Sequence, residues 1–103
     1  MNDGAGYNLA AFLLAAEMDT RITSTHICLF MVLYSAWLEA GCLSSFQITR
    51  RRIMKPAKLS TATYHKCMSE LNRFGYLSYV PSYHPSKGSK VILRFKPMET
   101  NSL

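Results

Sequence analysis

The stretch KLSTATYHKCMSELNRFGYL, Lys58 to Leu77, decides how this chain is read. Tyr64, Cys67, Met68, Leu71 and Phe74 recur in it at steps of three, one, three and three. At about 100° per residue, these side chains share one stripe of a helix. The opposite side carries Ala62, His65, Lys66, Ser69 and Arg73. The spacing predicts a helix over Thr61 to Phe74, with Ser60 as its N-cap and Gly75 as its stop. His65-Lys66-Cys67 has the look of a metal motif, but residues i and i+2 of a helix point about 200° apart. The same geometry rules out His26-Ile27-Cys28. A metal site would need one ligand from each of two helices plus two more, and the chain has no Cys-x-x-Cys pair. No metal and no cofactor is therefore expected.

Working outward, Lys58-Leu59-Ser60 reads as a tight connection. Upstream, Ser44-Ser45 is a loop, and Phe46 and Ile48 alternate with polar residues as in a short strand. Thr49 is a good cap for a helix from Arg50, with Ile53 and Met54 as its core contacts. Pro56 is expected to end or kink that helix, because it lacks an N–H and clashes with the preceding turn. Downstream, YLSYVPSY (Tyr76 to Tyr83) and SKVILRF (Ser89 to Phe95) read as two strands around the turn HPSKG. Alternation puts Val91, Leu93 and Phe95 inside, and Lys90, Ile92 and Arg94 outside.

The first part of the chain is different in kind. LAAFLLAA (Leu9 to Ala16) and ICLFMVLYSAWL (Ile27 to Leu38) are apolar runs. Both are shorter than the roughly 20 residues that span a bilayer, so they read as helices of a soluble protein without a membrane. The first is expected over Asn8 to Met18, after a frayed start. The second is expected from a Thr23, Ser24 or Thr25 cap to about Ala40, with Gly41 as its stop. Ile27, Phe30, Met31, Tyr34 and Leu38 make one stripe of it, and further apolar residues fill most of the rest. A helix apolar all round is buried all round. These two helices are therefore expected to form a homodimer interface; the alternative is a one-sided core helix with surplus apolar residues.

Charge divides along the same line. Residues 1–42 hold one base and four acids, a net −3, whereas residues 43–103 hold eleven Lys/Arg and two acids, a net +9. The basic part suits a polyanion. The three cysteines, Cys28, Cys42 and Cys67, are widely spaced among apolar neighbours. They read as buried thiols of a cytoplasmic protein. No signal-peptide pattern is present at the start. A single domain over 1–103 follows: residues 1–42 as apolar helices, 43–96 as the basic part, and 97–103 as a loose tail.

The order helix, helix, short strand, helix, tight turn, amphipathic helix, Gly, hairpin is that of a winged helix-turn-helix, an α+β and mainly helical fold. LSTATYHKCMSELNRFGYL is similar to the recognition helix of winged helix-turn-helix regulators. There Leu-Ser opens the helix and Leu-x-x-x-Gly-Tyr-Leu leads into the wing. More narrowly, TYHKCMSELNRFGYLSYVPSYHPSKGSKV with the upstream HICLFMVLYSAW resembles small transcription regulators of Bacteroidetes chromosomes and conjugative elements. The resemblance implies binding of double-stranded DNA and covers roughly Thr25 to Val91.

The physics of these residues suits that role. A helix fits the major groove, Lys66 can reach phosphate or guanine, and Ala62 allows close approach or meets a thymine methyl. Candidate DNA contacts are Arg50, Arg51, Lys58, Ser60, Thr61, Ala62, Thr63, His65, Lys66 and Ser69, with Lys87, Ser89 and Lys90 at the hairpin. The plainer reading of each is a solvated face. Tyr64 falls on the core side. No catalytic residue is expected, because the six acids are scattered and there is no glycine-rich phosphate loop. The expected role is sequence-specific DNA binding in transcription regulation. The alternatives are a winged-helix protein–protein adaptor and an excision or replication accessory factor of a mobile element.

Overall fold

The computed structural model describes residues 3–82 and 88–95, with side chains from residue 8 onward. Lys87, most of the HPSKG turn and the 97–103 tail lie outside the described residues. Four helices and three strands follow in the order α1 (Asp3–Met18), α2 (Ser24–Glu39), β1 (Phe46–Ile48), α3 (Arg50–Ala57), α4 (Thr61–Phe74), β2 (Leu77–Val80) and β3 (Ser89–Leu93). The class is α+β, with one small antiparallel sheet in the order β1-β3-β2. β3 is the middle strand, with Val91 facing both Phe46 and Tyr79 across the pairs.

Capping chemistry sets most boundaries. Thr23, Thr49 and Ser60 are extended N-caps whose hydroxyls accept N–H bonds from His26, Arg52 and Thr63. Each satisfies one of the N–H groups that a helix start leaves unpaired. Gly75 ends α4 with φ 93°, a left-handed conformation that costs glycine little. α1 begins five residues earlier than the sequence suggested, at Asp3 rather than Asn8.

Pro56 behaves differently from expectation. α3 runs through it to Ala57 and stops only at Lys58, which is left-handed with φ 57°. The proline sits in the last turn, so only one backbone bond is lost, and that turn is exposed to water. Lys58 closes the helix by donating its N–H to the Met54 carbonyl at 2.8 Å. A non-glycine residue in this conformation costs roughly 1–2 kcal/mol.

One core serves the whole described chain. Phe12 of α1, Leu29, Phe30 and Leu33 of α2, Ile53 of α3, Met68 and Leu71 of α4, and Val91 of β3 are completely buried in it. Phe12 and Phe30 stack with ring centroids 3.7 Å apart, and Phe95 sets its edge against Phe30, Tyr34 and Trp37. Within the single chain this core takes one face of α2. The inward face is His26, Leu29, Phe30, Leu33, Ala36 and Trp37. Of the expected stripe only Phe30 is buried; Ile27 and Tyr34 are half-buried, and Met31 and Leu38 are exposed. α2 packs on α1, α3 and α4 within one chain, so intramolecular contacts cover one face of it and leave Met31 and Leu38 outside. The cysteines also differ from expectation: Cys67 is buried, Cys42 half-buried and Cys28 exposed. Cys28 lies at the edge of α2 beside α3, where its thiol approaches the Ala57 carbonyl at 3.8 Å. Among the described residues, no helix is long and apolar enough to cross a membrane.

Candidate nucleic-acid interface

α4 is divided cleanly. Tyr64, Cys67, Met68 and Leu71 are buried, while Thr61, Ala62, His65, Lys66, Ser69 and Arg73 are exposed. Ser60 fixes the start of this face. Its Oγ accepts from the Thr63 N–H at 3.2 Å and donates to Thr63 Oγ1 at 3.0 Å. Thr63 is half-buried, so its hydroxyl serves the cap. Burial pushes up the Cys67 thiol, which keeps it protonated within the core. Burial raises the Tyr64 hydroxyl as well, and the neighbouring Tyr79 adds to the effect. Tyr64 therefore belongs to the packing side, as its helical angle predicts.

The one acid of α4 points inward. Glu70 Oε1 lies 2.8 Å from His26 Nε2 on α2, and His26 is almost wholly buried. The Thr23 N–H donates to His26 Nδ1 at 3.0 Å, so Nδ1 is the acceptor and Nε2 carries the proton given to Glu70. The result is a capping box with histidine in the place usually held by Glu or Gln. Cys67 joins this pair, with the three ligand-type atoms within 4.8 Å of one another. A metal on Nε2 would have to displace the proton shared with Glu70, so the arrangement favours a hydrogen-bonded link between α2 and α4. Spacing within α4 could not reveal it, because His26 lies 44 residues from Glu70.

The remaining candidates surround α4. Arg50 and Arg51 are exposed at the start of α3, and Lys58 is exposed on the turn between α3 and α4. Arg52 is paired with Glu39 of α2, which sets it apart from its two neighbours. Arg50, Arg51, Met54, Lys55, Leu59 and Thr61 line an open groove between α3 and α4. On β3, Ser89 is half-buried and accepts from the Ser82 N–H at 3.3 Å, while Lys90 is exposed.

Four of the candidates, Arg50, Arg51, His65 and Ser89, line a single cavity with Tyr79 and Ser82. The last two were not singled out from the sequence, because β2 was read only as a hairpin arm. For Tyr79 the period-two alternation was the available signal, since Tyr79 and Leu77 face the same way; Ser82 lies beyond β2 and carried no such signal.

A second polar cluster locks the C-terminal end of α4. Arg21 holds Asp19 through two side-chain bonds of 2.9 and 2.7 Å, and the Tyr76 hydroxyl donates to Asp19 at 2.8 Å. The Arg21 bonds hold the Asp19 carboxyl well below the usual range, and Tyr76 adds to this. The Arg21 guanidinium also lies 4.3 Å above the Phe74 ring. The turn between α1 and α2 is thus pinned to the end of the helix that carries the candidate face. No family of known proteins matches the chain, and neither a curated protein nor a solved structure matches it.

Proposed function

We propose that this chain is a winged helix-turn-helix protein that binds duplex DNA and regulates transcription, with α4 in the major groove and the β2–β3 hairpin as the wing. The observation that carries the reading is the exposed face of α4. It presents hydroxyls, a small residue, His65, Lys66 and Arg73, while its one acid, Glu70, is turned toward His26. Arg50, Arg51, Lys58 and Lys90 add exposed cations around it. Such a surface supplies phosphate contacts for affinity and polar groups for base edges. A mobility-shift series with generic duplex DNA tests it: affinity should fall steeply as salt rises, and binding indifferent to salt would remove the phosphate contacts from the account.

The homodimer belongs to the same proposal. Leu13, Leu14 and Met18 of α1 and Met31 and Leu38 of α2 are exposed apolar residues on the acidic part. The same residues favour a second reading, in which this side recruits a different protein as an adaptor would. Sedimentation at micromolar concentration separates the two, since the adaptor reading predicts a monomer.

A further inference from the structure

The end of β1, the start of α3, the middle of α4 and the tips of β2 and β3 meet around a cavity of about 470 Å³. Arg50 and Arg51 come from the first turn of α3, His65 from α4, and Thr49, Tyr79, Ser82 and Ser89 complete the polar lining. No carboxylate lines it among the described residues. Arg52, next in the chain, is neutralised by Glu39, whereas Arg50 and Arg51 have no ion pair among the described residues. Both arginines line the cavity, so an anion held there would meet two cations that have no counter-charge among the described residues.

The backbone holds this wall in place. Gly88 has φ 70°, and a Cβ there would come within 2.5 Å of the Ile48 carbonyl oxygen. Only glycine lets the start of β3 close this tightly on the end of β1. That closure sets Ser89 opposite Ile48 and beside the arginines.

We propose that this cavity binds a phosphate ester. Arg50 and Arg51 form the charged clamp, and His65 and Ser89 supply further hydrogen-bond donors. Guanidiniums suit this ligand because their planar forks match phosphate oxygens in pairs. Two sources offer that chemistry: a backbone phosphate of a DNA strand lying beside α4, or a free nucleotide. The first rests on the DNA reading above, and the second does not.

The test follows the His65 ring signals by NMR in the intact chain at fixed pH. Inorganic phosphate, then AMP, then duplex DNA are titrated into the wild type, Arg51→Ala and Ser89→Ala. Saturable His65 shifts with phosphate or AMP, weakened roughly tenfold or more by Arg51→Ala, are the expected result. Duplex affinity is measured in parallel across salt, and its slope should fall by about one in Arg51→Ala. Duplex binding with an unchanged slope, and no His65 response to phosphate, overturns the cavity while leaving the DNA reading intact. A saturable phosphate or AMP response without duplex binding supports the cavity as a free phosphate-ester site and removes the DNA reading. No response to any of the three overturns both. Should Arg51→Ala fail to fold, the wild-type titration and Ser89→Ala decide the question.

Discussion

α2 and α4 are helices of similar length, 16 and 14 residues, with a hydroxyl N-cap on each, yet their sequences fix very different amounts. In α4 the apolar residues occupy one stripe, so the helix has a single way to face the core. α2 is apolar on nearly every side, so its own residues do not choose a face. Its partners do, and they select His26, Leu29, Leu33 and Trp37 over Ile27, Met31 and Leu38. The surplus left outside is what a second subunit could cover. On the proposed function, one helix would divide the core from DNA and the other the core from a second subunit.

Core truncations test this comparison with the largest effects. Leu71 on α4 and Leu33 on α2 are both fully buried. Leu71→Ala and Leu33→Ala should each cost about 2–5 kcal/mol in urea unfolding. Met31→Ala, on the outer face of α2, should change the stability of the monomer by less than about 0.5 kcal/mol. Equal losses at Leu33 and Met31 in dilute solution would mean that α2 is turned the other way.

The link between the two helices comes next. His26→Ala removes a cap partner and leaves Glu70 without its donor, at a cost of about 1–3 kcal/mol. His26→Gln retains a residue that can reach back to the Thr23 N–H, so it should recover part of that loss. If the two variants unfold alike, the cap contributes nothing beyond the Glu70 contact.

A smaller effect is expected where the chain joins α3 to α4. Lys58→Gly removes the side chain from a left-handed position and should raise stability by about 1 kcal/mol. The same change removes a cation from the proposed interface, so DNA affinity should fall as stability rises. A destabilised Lys58→Gly would show that the lysine side chain stabilises the turn by its own contacts.

The Asp19 cluster predicts a dependence on acid. Its carboxyl is held below its ordinary range in the folded chain, so its stabilisation is fully present above the unfolded value near about pH 4. That contribution is lost as pH falls toward the depressed native value. The melting temperature of Asp19→Asn should therefore fall less steeply than that of the wild type below about pH 4. Parallel curves would mean that the Arg21 and Tyr76 bonds do not favour the charged form.

Much of this architecture could be read from single residues. Thr49 and Ser60 announced α3 and α4, Phe46 and Ile48 announced β1, and the α4 stripe announced its buried face. These signals are local, and each has one physical cause. The course of α3 past Pro56 was not legible, because a proline in the last turn forfeits only one exposed bond. The face of α2 was not legible for lack of polar residues to orient it. The His26–Glu70 contact and the cavity around Arg50, Arg51 and Ser89 depend on tertiary closure. Neither leaves a spacing in the sequence to detect.

On the proposed function, the basic face of α4 meets DNA while the outer sides of α1 and α2 do not. Backbone amide NMR of the labelled chain, with and without a duplex at low salt, tests it most directly. The largest shifts are expected at Thr61, Ala62, His65, Lys66 and Ser69, with Leu13, Leu14 and Met18 unmoved. Shifts centred on α1 and α2, or none on α4, would contradict it.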